Sequence, residues 1–182
     1  MHYRVAAAVL LSGATLAMGA AAAERSLVVG AANRASAANE HALERLMANP
    51  STRDFKVVRL DPASVAADTT RLTLDIGGRR VAANLAKAEK STTGNLVWAG
   101  TLDGGRKVRS GVDPLNSATL VRSGDGITGT VRMNGALFRI RPLPGGEHAI
   151  VEVNESAMPA EHPAEAYRQI FDAAAKAEQD RR

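Results

Sequence analysis

Between residues 53 and 158 hydrophobic and polar positions alternate with period two over most of the chain, and a helical period shows only at its flanks. "DFKVVRL", Asp54 to Leu60, opens the alternating region, and Asp61-Pro62 closes its first strand. "TRLTLDI" sets Leu72, Leu74 and Ile76 against Arg71, Thr73 and Asp75, and Gly77-Gly78 turns the chain into "RRVAANLAKAEKS". "NLVWAGTLD" reads as a further strand ended by Asp103-Gly104-Gly105. The stretch "GGRKVRSGVDPLN" carries Gly, Pro and Asp with little apolar content and predicts a long mobile loop. Residues 117–155 then read as four short strands, with Asp125-Gly126, Asn134-Gly135 and Gly145-Gly146 at the joins, residues suited to turns of positive φ. Leu120, Ile127, Val131, Leu137, Phe138, Ile140, Ile150, Val151 and Val153 are expected to form the buried face, with Trp98 packing from the preceding strand.

No linker among these strands is long enough for a crossover helix, so an antiparallel meander follows. The predicted fold class is mainly β: a single curved antiparallel sheet, or a small sandwich of hairpins, of seven or eight strands with a short helix at each end. Glu40 to Ala48, with Ala42, Leu43, Leu46 and Met47 apolar, predicts the N-terminal helix, stopped by Asn49-Pro50. Its apolar stripe is narrow, so docking on something else is what would order it. Ala166, Tyr167, Ile170, Phe171 and Ala174 predict one face of a C-terminal helix. The expected organisation is a signal peptide at 1–23, an alanine-rich helical lead at 24–52, an antiparallel β domain at 53–158, and a proline-bounded exit segment with the C-terminal helix at 159–182.

The leader expectation rests on the basic start Met1 to Arg4, the apolar run Val5 to Met18, and the small residues Ala20 to Ala23 suited to signal peptidase. Cleavage before Glu24 and a secreted or periplasmic location are expected, with no membrane attachment of the mature chain. The sequence has no cysteine, which excludes thiol catalysis, thiolate metal sites and disulfides. The hydrophobic share of 45% is largely alanine, with only three Phe, two Tyr and one Trp, so the core is expected to be small and aliphatic. The net charge of +4 is spread without long runs of one sign. The arginines lack interleaved aromatics, so nucleic acid is not expected as a partner.

Candidate chemistry centres on Glu147-His148 and Glu161-His162 in a chain with four histidines. A helical zinc site needs two histidines four apart with a glutamate beside the first, and that spacing does not occur. His148 falls at the start of a strand, and Pro159 and Pro163 place His162 in an extended loop; a metal held between the two pairs lacks a clear third ligand. Ser110 and Ser156 have no nucleophile-elbow context. Glu147 with Glu152, or Asp61 with Asp75, read as solvated strand positions rather than catalytic carboxylate pairs. Gly124, Gly126 and Gly129 spell a dinucleotide motif but lie between strands of a meander, where hairpin turns account for them. No catalytic residue, metal or cofactor is therefore assigned.

The stretch "GTVRMNGALFRIRPLPGGEHAIVEVNESAMPAEHP", Gly129 to Pro163, resembles the end of the N-terminal propeptide of bacterial secreted zinc metalloproteases of the reprolysin-like, peptidyl-Asp type. The matching features are a turn glycine, Phe138 and Ile140 on an alternating strand, a Pro-Leu-x-Gly-Gly turn, His-Ala-x-Val-Glu-Val, and a Pro-x-Glu-His-Pro tail. "RLTLDIGGRRVAA", "VWAGTLDG" and "SATLVRSGDGITGTV" extend the resemblance over roughly residues 54–163. No His-Glu-x-x-His zinc motif occurs in the 182 residues. The resemblance thus implies a non-enzymatic, propeptide-like binding module that inhibits a zinc metalloprotease or assists its folding. Met158, Pro159, Glu161, His162 and Pro163 are the expected contact segment, with Arg139 and Arg141 on the sheet and His162 a candidate ligand for a partner's zinc. Two other readings remain: an envelope-associated β module that binds a ligand or is structural, and an enzyme whose site is assembled from distant residues.

Overall fold

The structure is a computed structural model that describes residues 23–32, 36–106 and 111–158. Except for Ala23, the expected signal peptide lies outside the described residues, as do Pro159, Glu161, His162, Pro163 and the expected C-terminal helix. In chain order the elements are β1 (Ala23–Ser26), β2 (Val28–Ala31), α1 (Glu40–Ala48), β3 (Thr52–Leu60), β4 (Thr69–Ile76), β5 (Arg79–Lys90), β6 (Leu96–Leu102), β7 (Ser117–Ser123), β8 (Gly126–Met133), β9 (Ala136–Pro142) and β10 (His148–Val153). All ten strands belong to one sheet, ordered β1-β4-β5-β6-β7-β8-β9-β10-β3-β2, which curves into a near barrel.

From β4 to β10 the sheet is the expected antiparallel meander, with short turns at every join except the longer 103–116 connection between β6 and β7. Gly77 and Gly78 have φ of 58° and 71°, and Asn134 and Gly135 have φ of 52° and 84°, the paired positive values of a type I′ hairpin. The turn between β7 and β8 sits one residue earlier than expected. Ser123 pairs with Gly126, leaving Gly124 and Asp125 as the turn residues, and the positive φ falls on Gly124 at 57°.

Residues 24–52 are not simply a helical lead. The helix forms at Glu40–Ala48, but β1 and β2 precede it and close the barrel. β1 runs parallel to β4, from Ala23↔Thr69 to Ser26↔Thr73. β2 then runs antiparallel to β3, from Val28↔Leu60 to Ala31↔Val58. Between them the chain bends at Leu27, whose N–H donates to Thr73 C=O at 2.9 Å while its C=O accepts from Asp61 N–H at 2.9 Å. One short segment thus joins both ends of the sheet, which removes much of the exposed edge an open sheet would carry.

Inside the curve lie Leu27, Val58, Leu72, Leu74, Ile76, Trp98, Leu120, Ile127, Val131 and Ile140, all essentially inaccessible. Trp98 is the largest, and its indole N–H donates to Thr69 C=O at 2.9 Å. Gly100 lies two residues on along the same strand, and any Cβ there would overlap the Trp98 ring. The expected buried face divides in two, because neighbours along a strand point to opposite sides. Phe138, Ile140 and Ile150 face inward, whereas Val151 lies in a second cluster on the outer surface with Leu46, Leu143 and Ala149. Ala42, Leu43, Phe55 and Val57 complete that cluster, so α1 is ordered by docking across β10 and β3. The loop expected to be mobile is anchored in its described part. Asp113 is buried and accepts from the N–H groups of Arg106 at 2.8 Å and Leu115 at 3.0 Å.

Because Leu27 plugs the join between the sheet's ends, Leu27→Ala is expected to lower stability by about 2–5 kcal/mol in urea unfolding. A loss under about 1 kcal/mol would show that closure does not rest on this side chain.

Candidate functional site

The first Glu-His pair is part of the scaffold. Glu147 precedes β10 in a tight turn in which Leu143 N–H donates to Glu147 C=O at 2.7 Å and Gly146 takes φ of 89°. Its carboxylate accepts from Asn39 Nδ2 at 2.9 Å, and Asn39 Oδ1 accepts from Gly145 N–H at 2.7 Å. Asn39 is fully buried at the start of α1, so the pair clamps the helix onto the β9–β10 turn. A side chain at Gly145 would collide with Ser36 Oγ and Glu147, which explains the glycine.

His148 is also committed to the fold. It begins β10 as expected, but it is buried rather than solvated, at 2% exposure. Nε2 accepts from Ile127 N–H at 3.0 Å, standing in for a backbone partner where β8 begins. An imidazole accepting at Nε2 carries its proton on Nδ1, and Nδ1 has no hydrogen-bond partner among the described residues. Burial lowers the pKa of this imidazole from its ordinary value, so it is held neutral. Protonation would bury a charge and set a new N–H against the Ile127 donor.

The other acidic pairs also separate. Asp61 Oδ1 accepts from Ala63 N–H at 3.0 Å, Glu152 meets Arg53 at 3.2 Å, and Asp75 meets Lys56 at 3.7 Å. Among the described residues no group of three or more His, Asp or Glu side chains is arranged to hold a metal ion. Asp103 binds Arg71 and Asn84, and those two hydrogen bonds, Arg71's first, lower its pKa. The pKa of Asp113 is lowered as well, by the backbone N–H groups of Arg106 and Leu115.

Of the expected contact residues, Arg139, Arg141 and Met158 are described. Arg139 and Arg141 stand on the outer face of β9 beside the C-terminal end of α1, where Leu46, Asn49, Val151 and Val153 leave only about 10 Å³ of open space. Arg139 is half-buried and Arg141 exposed. The chain leaves β10 at Val153, which pairs with Leu137, two residues before Arg139. The exit is pinned by Asn154 N–H to Ser51 C=O at 2.8 Å and by both Arg132 guanidinium nitrogens on Glu155, at 3.1 and 3.3 Å. Met158, half-buried and extended at φ −68°, ψ 146°, ends the described chain.

The fold defines a mainly antiparallel β module whose sheet curves into a near barrel. The chain is 41% identical over 162 residues to a protein named peptidyl-Asp metalloendopeptidase from Xanthomonas campestris pv. campestris. It is 43% and 40% identical, over 171 residues each, to proteins of the same name from two strains of Stenotrophomonas maltophilia. These matches take in 87–91% of this chain but only 39–40% of the relatives, so the chain spans about two-fifths of the length of the curated relatives it matches. No protein-family model matches the chain, and no solved structure matches it significantly.

Two outcomes follow from the buried polar groups. The folded pKa of His148 lies below its unfolded value, so its contribution is neutral above about pH 6.5, and stability falls as pH drops below that value. Asp103 and Asp113, with lowered pKa values, add acid sensitivity only at the more acidic carboxylate range. Urea midpoints between pH 7 and 5 are expected to decline in the parent and to flatten in His148→Gln; equal slopes would exclude His148 as the cause. Asn39→Ala is expected to cost about 1–3 kcal/mol and to speed amide exchange in α1 ahead of the sheet. Unchanged exchange in α1 would show that the clamp does not hold it.

Proposed function

We infer that this chain is a secreted, non-catalytic propeptide-like module that binds a zinc metalloendopeptidase, shielding its cleft or assisting its folding. The observation that carries this reading is the 40–43% identity to proteins named peptidyl-Asp metalloendopeptidase over almost all of this chain and only two-fifths of theirs. The site geometry is compatible with it. Glu147 and His148, the most chemically suggestive pair in the described residues, are consumed by structural hydrogen bonds.

In this reading the closed sheet is a rigid platform and the segment from Met158 to Pro163 is the part that reaches the protease. Prolines at 159 and 163 restrict that segment before it docks, which reduces the entropy lost on binding. Arg139 and Arg141 flank its origin and would meet acidic groups on the partner. His162 would approach the partner's zinc. The leader expected at 1–23 would carry the chain out of the cytoplasm.

The test is inhibition of the catalytic region of a Stenotrophomonas maltophilia relative by the purified chain lacking its leader. Saturable inhibition, or a raised yield of active protease on refolding, is expected. His162→Ala should weaken inhibition by about tenfold if its imidazole reaches zinc, whereas unchanged inhibition would remove that role. Absence of both inhibition and improved refolding would overturn the reading as a whole.

A further inference from the structure

Among the described residues, the strand that closes the barrel leaves half of a slot unfilled. β3 and β4 lie at opposite ends of the meander, and the segment from Ala23 to Ala31 is wedged between them. Its pairing with β4 stops at Ser26↔Thr73. Its pairing with β3 stops at Ala31↔Val58, followed by one bond from Ala32 N–H to Val57 C=O at 3.3 Å. Beyond those points β4 runs on to Ile76, and β3 extends back to Thr52, with no strand among the described residues on their facing edges.

The backbone of both edges points into the gap. Thr73 C=O is turned toward Leu27, so strand alternation sends the N–H and C=O of Asp75 to the same side. Val57 C=O is turned toward Ala32, so Phe55 presents its polar groups likewise, up to the register shift at Arg53. At the upper end the spacing is already that of one intervening strand, about 4.8 Å from each neighbour. The open part holds two clefts of about 320 and 280 Å³, which share Lys56 and Asp75 as a common wall. Unpaired edges are sites of strand addition unless blocked. Here Phe55 N–H is satisfied by the side chain of its own neighbour, Asp54 Oδ1 at 2.8 Å, an acceptor that an incoming carbonyl can replace.

Charge indicates what fits. Asp54 and Glu152 are directly opposite each other on β3 and β10 and line the first cleft with Phe138 and Ile150. Like charges facing across a strand pair are unfavourable. Lys56 is engaged with Asp75 and Arg53 with Glu152, while Asp54 has no cationic partner among the described residues.

We propose that the slot between Phe55 and Asp75 accepts an extended segment of a partner protein as an added strand, with a Lys or Arg side chain of that segment seated between Asp54 and Glu152. The slot stands independently of the protease reading and defines the partner segment by chemistry alone: strand-forming, basic at one inward position, and apolar where it meets Phe138 and Ile150.

The experiment follows backbone amide resonances of the full chain during titration with a capped Thr-Val-Arg-Val-Thr-Val peptide. Saturable shifts at Phe55 and Asp75 are expected. Replacing the peptide's Arg by Glu should weaken binding about tenfold, the loss of one charged hydrogen-bonded pair. Methylating alternate peptide nitrogens should abolish it. Asp54→Asn should narrow the difference between the Arg and Glu peptides, with amide shifts elsewhere reporting an intact fold. No saturable binding, equal binding of the two peptides by the parent, or tolerance of methylation would overturn the proposal. So would slow amide exchange at Phe55 and Asp75 without peptide, because the chain's own 159–182 segment or, if concentration-dependent, a second copy would then be filling the slot.

Discussion

The divergence of two hydrogen bonds at Leu27 is the constraint on which the remaining structure depends. In a regular strand the N–H and C=O of one residue point to the same neighbour; here one bonds β4 and the other the end of β3. The bend allows a single segment to serve both ends of the sheet, and the buried Leu27 side chain enters the core at that point. Closure lets one continuous set of side chains around Trp98 be enclosed without a second layer. It also limits itself, because a chain that transfers from one edge to the other cannot cover the full length of both.

A second, smaller core depends on the first. Once the sheet is curved, the outer sides of β3 and β10 present Phe55, Val57, Ala149 and Val151, and α1 covers them with Ala42, Leu43 and Leu46. The helix is fixed by polar contacts at its start as well as by burial. Asn39 reads the β9–β10 turn through Gly145 and Glu147, a contact that other alignments of the helix would leave unmade. His148 performs a comparable task on the inner side, occupying the N–H of Ile127 where the regular ladder gives out.

Much of the meander was legible because its determinants are local. The alternation in "TRLTLDI" and the pairs Gly77-Gly78 and Asn134-Gly135 specify strand and turn within a few residues. The turn around Asp125 was misplaced by one residue because glycine stands on both sides of it, and composition alone does not say which must take positive φ. β1 and β2 were not legible: each has only four residues, they pair with different strands, and their joint pattern is interrupted at Leu27. The single expected buried face was two faces, since the apolar run "HAIVEV" is covered on both sides, from within by the barrel and from without by α1. The slot residues Asp54, Phe55 and Asp75 carried no signal, as each occupies an ordinary position in an alternating strand.

The sequence by itself determined the mainly β class, the hairpin order from β4 to β10, and the helix at Glu40–Ala48. Those follow from side-chain period, turn residues and the Asn49-Pro50 stop, whose energies are settled between near neighbours. Only the tertiary structure decided that the sheet closes through Leu27, that Glu147 and His148 serve the scaffold, and that Asp54 comes to face Glu152 beside an edge that no described strand covers. Each of these depends on which distant strands become neighbours. That choice is made by the collective burial of the core and leaves no periodic trace in the residues it brings together.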